Sequence, residues 1–233
     1  MIPYGKQSIT EADIKAVVDV LRSDFLTTGP RVASFEQAVA ARVGATHAVA
    51  CSSGTSALHV ALLSGGIRKG DRVVTSPNTF LASANCAAYV GAIPDFCDVD
   101  LETGNLNPEA LESNWKPDTR AVIAVDFAGH PCDMEQIYRI ASANGALVIE
   151  DACHSFGGSL VIDSTPQSIG GHPFADITTF SFHPVKTLTT GEGGMLTARD
   201  SELIDSSRRY LNHGRARNPS SFEVFGTSGD PLE

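Results

Sequence analysis

The chain has 233 residues, of which 42% are apolar and 19% charged, which is the balance of a folded globular domain with a sizeable core. Lys and Arg total 17 against 27 Asp and Glu, a net charge of −10, and the charges are interspersed. An acidic chain with no basic run argues against nucleic acid as a partner, and no segment approaches the length of a membrane-spanning helix.

The N-terminal stretch MIPYGKQSITEADIK has no apolar signal-peptide core, so a cytoplasmic location is expected. A helix follows, capped by Thr10 or Ser8, with Glu11 and Asp13 at its positive end and Ile14, Val17, Val18 and Leu21 as an apolar face. Thr27-Thr28-Gly29-Pro30 breaks the pattern. A second helix places Val32, Phe35, Ala38, Val39 and Val43 on one side and stops at Gly44. The chain divides into an N-terminal segment and helix, 1–30, and a large domain, 31–233.

Strands and helices then alternate. HAVAC, RVVTS, AIPDFCDV, AVIAVDF and ALVIED read as strands. TSALHVALLS, residues 79–90 and MEQIYRIASAN read as helices, the last ended by Asn144-Gly145. Short apolar strands between amphipathic helices predict an α/β fold with a mostly parallel sheet covered on both faces. Residues 159–173, rich in Gly, Pro and Ser, predict a surface hairpin or loop. The last run, RNPSSFEVFGTSGDPLE, is loop-like, and nothing after Asn212 resembles a second domain, so the sequence reads as the large-domain part of a longer architecture. Cys51, Cys86, Cys97, Cys132 and Cys153 are odd in number and form no CxxC, which argues against a disulfide framework or a zinc site; no metal is expected.

Three pieces carry chemistry. In Ser52-Ser53-Gly54-Thr55-Ser56 a strand ends, small residues turn the chain and a helix begins; its free N–H groups make an anion site, though alone the motif also fits an ordinary capped helix. In Val148-Ile149-Glu150-Asp151-Ala152-Cys153-His154 an apolar strand brings an acid to the sheet edge where ligands bind in parallel α/β folds; alone, such an Asp can simply cap a turn, and such a His can satisfy backbone. In Thr178-Thr179-Phe180-Ser181-Phe182-His183-Pro184-Val185-Lys186 a strand leads through a His-Pro turn to a lysine, with Gly191, Gly193 and Gly194 beyond it; a lone lysine is more often a solvated surface group. In this order the pieces are what a pyridoxal 5′-phosphate site needs: a phosphate cradle, a carboxylate for the pyridine nitrogen and a lysine for a Schiff base. Phe80 is available to stack on the ring, or equally to open a helix in the core.

With these motifs on the page, the chain resembles the sugar aminotransferases of the DegT/DnrJ/EryC1/StrS family, a fold type I group of pyridoxal phosphate enzymes. The segments FLTTGPRVASFE, SSGTSALHVAL, PNTFLASANC, VIEDACHSFG and FSFHPVKTLTTGEGGML carry the likeness, which runs from IPYGKQSITEADI to LNHGR. The opening YGKQSITEADIKAVVDVLRSDFLTTGP is closest in appearance to members that aminate a UDP-linked 4-keto-6-deoxy-N-acetylhexosamine for pseudaminic acid. The resemblance implies that Lys186 forms the Schiff base and shuttles the proton. Asp151 pairs with the pyridine nitrogen, His154 lies near the ring hydroxyl and Phe80 stacks on the ring. Gly54, Thr55 and Ser181 bind the phosphate, and Thr28 and Gly29 line the substrate side. It further implies L-glutamate as amino donor, a nucleotide-linked deoxysugar as acceptor in surface-glycan or nonulosonic acid synthesis, and a homodimer. Relatives that dehydrate sugars carry histidine at the position of Lys186, so its presence favours amino transfer. The family continues with an asparagine-and-tyrosine motif and a small C-terminal domain. A truncated, non-catalytic fragment that binds cofactor or a partner without turnover is therefore the alternative expectation.

Overall fold

The computed structural model describes residues 5–215. The loop-like run at 217–233 and the first four residues lie outside the described residues.

Two helices come first. Helix α1, Glu11–Leu21, has Thr10 as its cap: the Thr10 hydroxyl accepts from Asp13 N–H at 3.3 Å and the Asp13 carboxylate accepts from Thr10 N–H at 2.8 Å. The apolar face expected here exists as a stripe but buries nothing, and Val17 and Leu21 stand about 60% exposed. Helix α2, Pro30–Val43, starts with its proline in the first turn and ends at Gly44, whose φ of 74° is the left-handed stop the sequence predicts. Val39 and Val43 face the core as expected, whereas Val32 and Ala38 do not. The surprise is Glu36, buried on the same side. It accepts from Ala50 N–H at 2.9 Å and pairs with Arg208 at 2.9 Å, so its burial is compensated.

A seven-stranded sheet forms the centre. Its strands are β1 (His47–Cys51), β2 (Arg72–Thr75), β3 (Ile93–Phe96), β4 (Thr119–Val125), β5 (Leu147–Asp151), β8 (Ile177–Ser181) and β9 (Gly194–Ala198), in the order β1-β9-β8-β5-β4-β2-β3. Only β9 runs against its neighbours, so the sheet is mostly parallel, as the apolar strands predict. Helices α3 (Gly54–Ser64), α4 (Ala82–Tyr89) and α7 (Ser201–Leu211) cover one face; α5 (Pro108–Ser113) and α6 (Met134–Ala143) cover the other. Leu58, Leu62, Ile123 and Ile149 pack the first layer, and Met134, Ile137 and Val148 the second. Both faces of β4 and β5 are therefore inside, which explains the apolar runs AVIAV in β4 and LVI in β5.

Two boundaries differ from the sequence reading. The helix expected over 79–90 begins at Ala82, because residues 76–81 first carry the chain off the end of β2. The strand read in AIPDFCDV is only Ile93–Phe96, an edge strand with no partner beyond it among the described residues. The hairpin expected within 159–173 is present: β6 (Ser159–Ile162) pairs antiparallel with β7 (Thr165–Ser168) around Asp163 and Ser164, both at positive φ. Among the described residues, no helix is long and apolar enough to cross a membrane.

Candidate active site

The carboxyl ends of the parallel strands bring the chemistry together. Asp151 ends β5, Ser181 ends β8, and the 52–54 turn follows β1. Ser53 caps α3 by accepting from Ser56 N–H at 3.1 Å. The N–H groups of Gly54 and Thr55 then open the helix without intrahelical acceptors, which is the geometry of an anion cradle. Gly54 is packed on its other side: a Cβ there would meet Cys153 Sγ at 2.8 Å and Ser181 Cβ at 2.9 Å. The glycine thus lets the turn sit directly on Ser181 at the end of β8 and on Cys153 just past β5.

Asp151 is only 5% exposed. Its Oδ2 accepts the Ser83 hydroxyl at 2.8 Å, and its Oδ1 accepts Cys153 N–H at 3.3 Å. Lys186 is half-buried on the loop after β8, where its N–H donates to the His183 carbonyl at 2.9 Å. That loop is closed on itself: Phe182 N–H reaches Gly193 O at 2.9 Å, Thr190 N–H reaches Phe182 O at 3.0 Å, and the Thr189 hydroxyl donates to the same carbonyl at 3.0 Å. The lysine therefore stands on an ordered segment.

His154 stands within electrostatic reach of both. Burial pushes its imidazole below the ordinary value, the Lys186 charge pushes it further, and Asp151 opposes them. A neutral ring at physiological pH follows. Beneath it, Gly129 at φ 87° leaves room for the His154 backbone, since a Cβ would meet His154 O at 2.9 Å. Burial pushes the Cys51 thiol up to about 12 and also raises Cys153, with Asp151 adding to the latter. Both are neutral walls of the site, not nucleophiles.

Further acids stand behind Asp151. Asp126, fully buried at the end of β4, accepts the Ser155 hydroxyl at 2.6 Å and Cys132 N–H at 3.0 Å. Burial and then the charge of Glu150 push its carboxyl well above the usual range. Glu150 points to the other face of β5, where it meets His172 Nε2 at 2.9 Å and accepts the Thr178 hydroxyl at 2.9 Å. Phe174 N–H donates to His172 Nδ1 at 3.1 Å, which assigns the ring proton to Nε2 and makes the histidine the donor to Glu150.

Of the residues singled out in the sequence, Gly54, Thr55, Asp151, His154, Ser181 and Lys186 converge on this edge. Phe80 stands 70% exposed on the same edge, which removes the reading of it as a core residue. Thr28 and Gly29 line a different feature, a cleft of about 1430 Å³ between α2, β1 and α7. The cleft reaches Cys51 and Ser52 at the foot of the phosphate turn, but neither Asp151 nor Lys186 lines it. Thr79, Ser83 and Asp126 were not legible as site residues; the only hint was the i, i+4 hydroxyl spacing in TFLAS, which puts Thr79 and Ser83 on one side of a helical turn.

Residues 7–229 match the model of the DegT/DnrJ/EryC1/StrS aminotransferase family. The spore coat polysaccharide biosynthesis protein SpsC of Bacillus subtilis is 44% identical over 216 residues, covering 93% of this chain and 54% of SpsC. Helicobacter pylori PseC, an aminotransferase involved in the biosynthesis of pseudoaminic acid, superposes with a TM-score of 0.85 at 31% identity, over 96% of this chain and 59% of PseC. Spr1654 of Streptococcus pneumoniae, in its PLP form, superposes with a TM-score of 0.80 at 31% identity, over 90% of this chain and 56% of its own. The chain spans about half the length of the curated relatives it matches, 54% and 55%.

Proposed function

The chain belongs to the DegT/DnrJ/EryC1/StrS aminotransferase family, and from that premise we propose that it carries the cofactor site of an enzyme that moves an amino group from L-glutamate to the keto carbon of a nucleotide-linked deoxysugar. The acceptor in this reading is a UDP-linked 4-keto-6-deoxy sugar, and the product feeds a surface glycan or a nonulosonic acid. The observation that carries the reading is the convergence of the Gly54 turn, Asp151 and Lys186 at neighbouring strand ends.

The cofactor is pyridoxal 5′-phosphate, and the residues present fit it: a helix N-terminus with a side-chain-free cradle at Gly54, a buried carboxylate and a lysine on an ordered loop. When bound, the group supplies an electron-withdrawing ring that stabilises the charge left when a proton leaves the substrate carbon. The N–H groups of Gly54 and Thr55, with the Ser181 hydroxyl, take the phosphate dianion. The Asp151 carboxylate meets the ring nitrogen and favours its protonated form. Lys186 Nζ would hold the group covalently and would be the base that takes a proton from the substrate carbon and returns it. The neutral His154 imidazole offers a hydrogen bond beside the ring hydroxyl without adding a second positive charge next to Lys186. Phe80 would cover one ring face, and Thr28 and Gly29 would meet the sugar nucleotide from the separate cleft that reaches Cys51 and Ser52.

A homodimer belongs to this reading. Phe80, Leu81, Tyr89, Ile93 and Phe96 are each more than 40% exposed and cluster around α4 and the unpaired edge of β3. An apolar patch beside an open strand edge is a surface that association would cover.

The test is turnover with L-glutamate and the UDP-linked keto sugar, read as amino-sugar formation by mass spectrometry. The reading predicts product with the native sequence and none with Lys186→Ala; turnover retained by the variant would sink it. A second reading is a chain that binds cofactor or a partner without turnover. Its signature is a lysine-bound chromophore with no amino sugar formed.

A further inference from the structure

Asp151 is held by a chain of hydroxyl groups that the sequence motifs do not announce. The Ser83 hydroxyl lies 2.8 Å from Asp151 Oδ2, and the Thr79 hydroxyl lies 2.7 Å from that of Ser83. A hydroxyl has one hydrogen to give. Ser83 gives it to the carboxylate, which has none to return, so the outer contact runs from Thr79 to Ser83. The order is Thr79 to Ser83 to Asp151. Ser83 is 1% exposed and sits in the first turn of α4, so its position is fixed by the packing of that helix on the sheet.

A short carboxylate needs such a restraint. The torsion that turns an Asp carboxyl has broad wells, so packing alone leaves its oxygens poorly aimed. Two groups fix Asp151: Cys153 N–H on one oxygen at 3.3 Å, a long bond, and Ser83 on the other at 2.8 Å. The shorter bond is the stronger restraint. Ser83 arrives from α4, across the sheet from β5, while Cys153 is only two residues along the same segment. The Ser83 bond thus ties the carboxylate to the segment that carries Phe80.

We infer that Ser83, backed by Thr79, is a positioning residue that aims the Asp151 carboxylate at the ring nitrogen of the bound cofactor. The inference rests on the cofactor reading above. Neither hydroxyl is assigned contact with substrate; both act through Asp151.

The test compares binding of pyridoxal phosphate with binding of its 1-deaza analogue, in which carbon replaces the ring nitrogen. The analogue keeps the phosphate, aldehyde and ring hydroxyl but gives Asp151 nothing to meet. The preference of the native chain for pyridoxal phosphate over the analogue reads the Asp151 interaction alone. Ser83→Ala should reduce that preference about tenfold, the scale of one hydrogen bond to a charged group, while affinity for the analogue stays within about twofold, the scatter expected of a neutral change. Thr79→Val should move the preference the same way by less, and Ser83→Thr, which keeps the hydroxyl, should restore it. A preference unchanged in both Ser83→Ala and Thr79→Val would overturn the inference while leaving the cofactor reading intact. An equal fall in affinity for both compounds would also overturn it, since that is what a merely structural serine would give. A native chain that binds neither compound would remove the cofactor reading and this inference with it.

Discussion

Any side chain on Gly54 would begin 2.8 Å from the sulfur of Cys153. That contact joins the turn at the start of α3 to the segment that follows Asp151, so the two halves of the proposed cofactor site share one packed seam. Gly54→Ala must push aside the turn, the Cys153 side chain or the end of β8. It should weaken pyridoxal phosphate binding by at least about tenfold and lower stability by about 1–3 kcal/mol, as overpacking does. Cofactor titration and denaturant unfolding measure the two effects, and wild-type affinity in the variant would show that the seam yields freely.

Phe80 separates two kinds of contribution. Its side chain stands 70% exposed, so Phe80→Ala should change stability by less than about 0.5 kcal/mol, as for a surface site. If its ring covers the cofactor, affinity for pyridoxal phosphate should still fall about tenfold, given the ~0.5–1.5 kcal/mol of an aromatic pair plus lost contact area. Thermal melting without cofactor and titration with it separate the outcomes. Unchanged affinity would remove Phe80 from the site.

The legible parts of this fold are those where one segment announces its own environment. The strands β4 and β5 are apolar at most inward positions because both faces are covered, and that shows in AVIAV and LVI, with Thr119, Glu150 and Asp151 as the buried polar exceptions. The Gly54 turn, Asp151 and Lys186 each sit where a strand pattern breaks into small or polar residues, the mark of a loop at a sheet edge. What stayed hidden depends on distant partners. Ser83 looks like one more small residue in an Ala-rich helix until the fold sets it against Asp151, 68 residues away. Glu36 interrupts the apolar side of α2, and its burial makes sense only with Arg208, 172 residues away. The stripe on α1 shows the opposite failure: periodicity gave the helix, but not what its apolar face meets.

Asp126 predicts a pH dependence of stability. Burial and Glu150 raise its folded-state value above the ordinary 3.8, so the native chain keeps a proton that the unfolded chain has lost. The native state then binds more protons, and this group's contribution to stability falls as pH rises from about 3.8 through the folded value. Asp126→Asn removes the titration and still accepts from Cys132 N–H while turning its amide to the Ser155 hydroxyl. The variant should gain stability relative to the native chain as pH rises through that window, with little difference below it. Urea unfolding at a series of pH values measures this. A difference that stays flat with pH would mean that Asp126 is ionised in both states.

The claim on which everything else depends is that Lys186 carries the cofactor. The chain should be incubated with pyridoxal phosphate, reduced with borohydride, digested and mapped by mass spectrometry, with Lys6, Lys15, Lys69 and Lys116 as internal controls. The account predicts a visible absorption band that disappears on reduction and a pyridoxyl mass on the peptide containing Lys186. An adduct spread over the other lysines, or none at all, would contradict it.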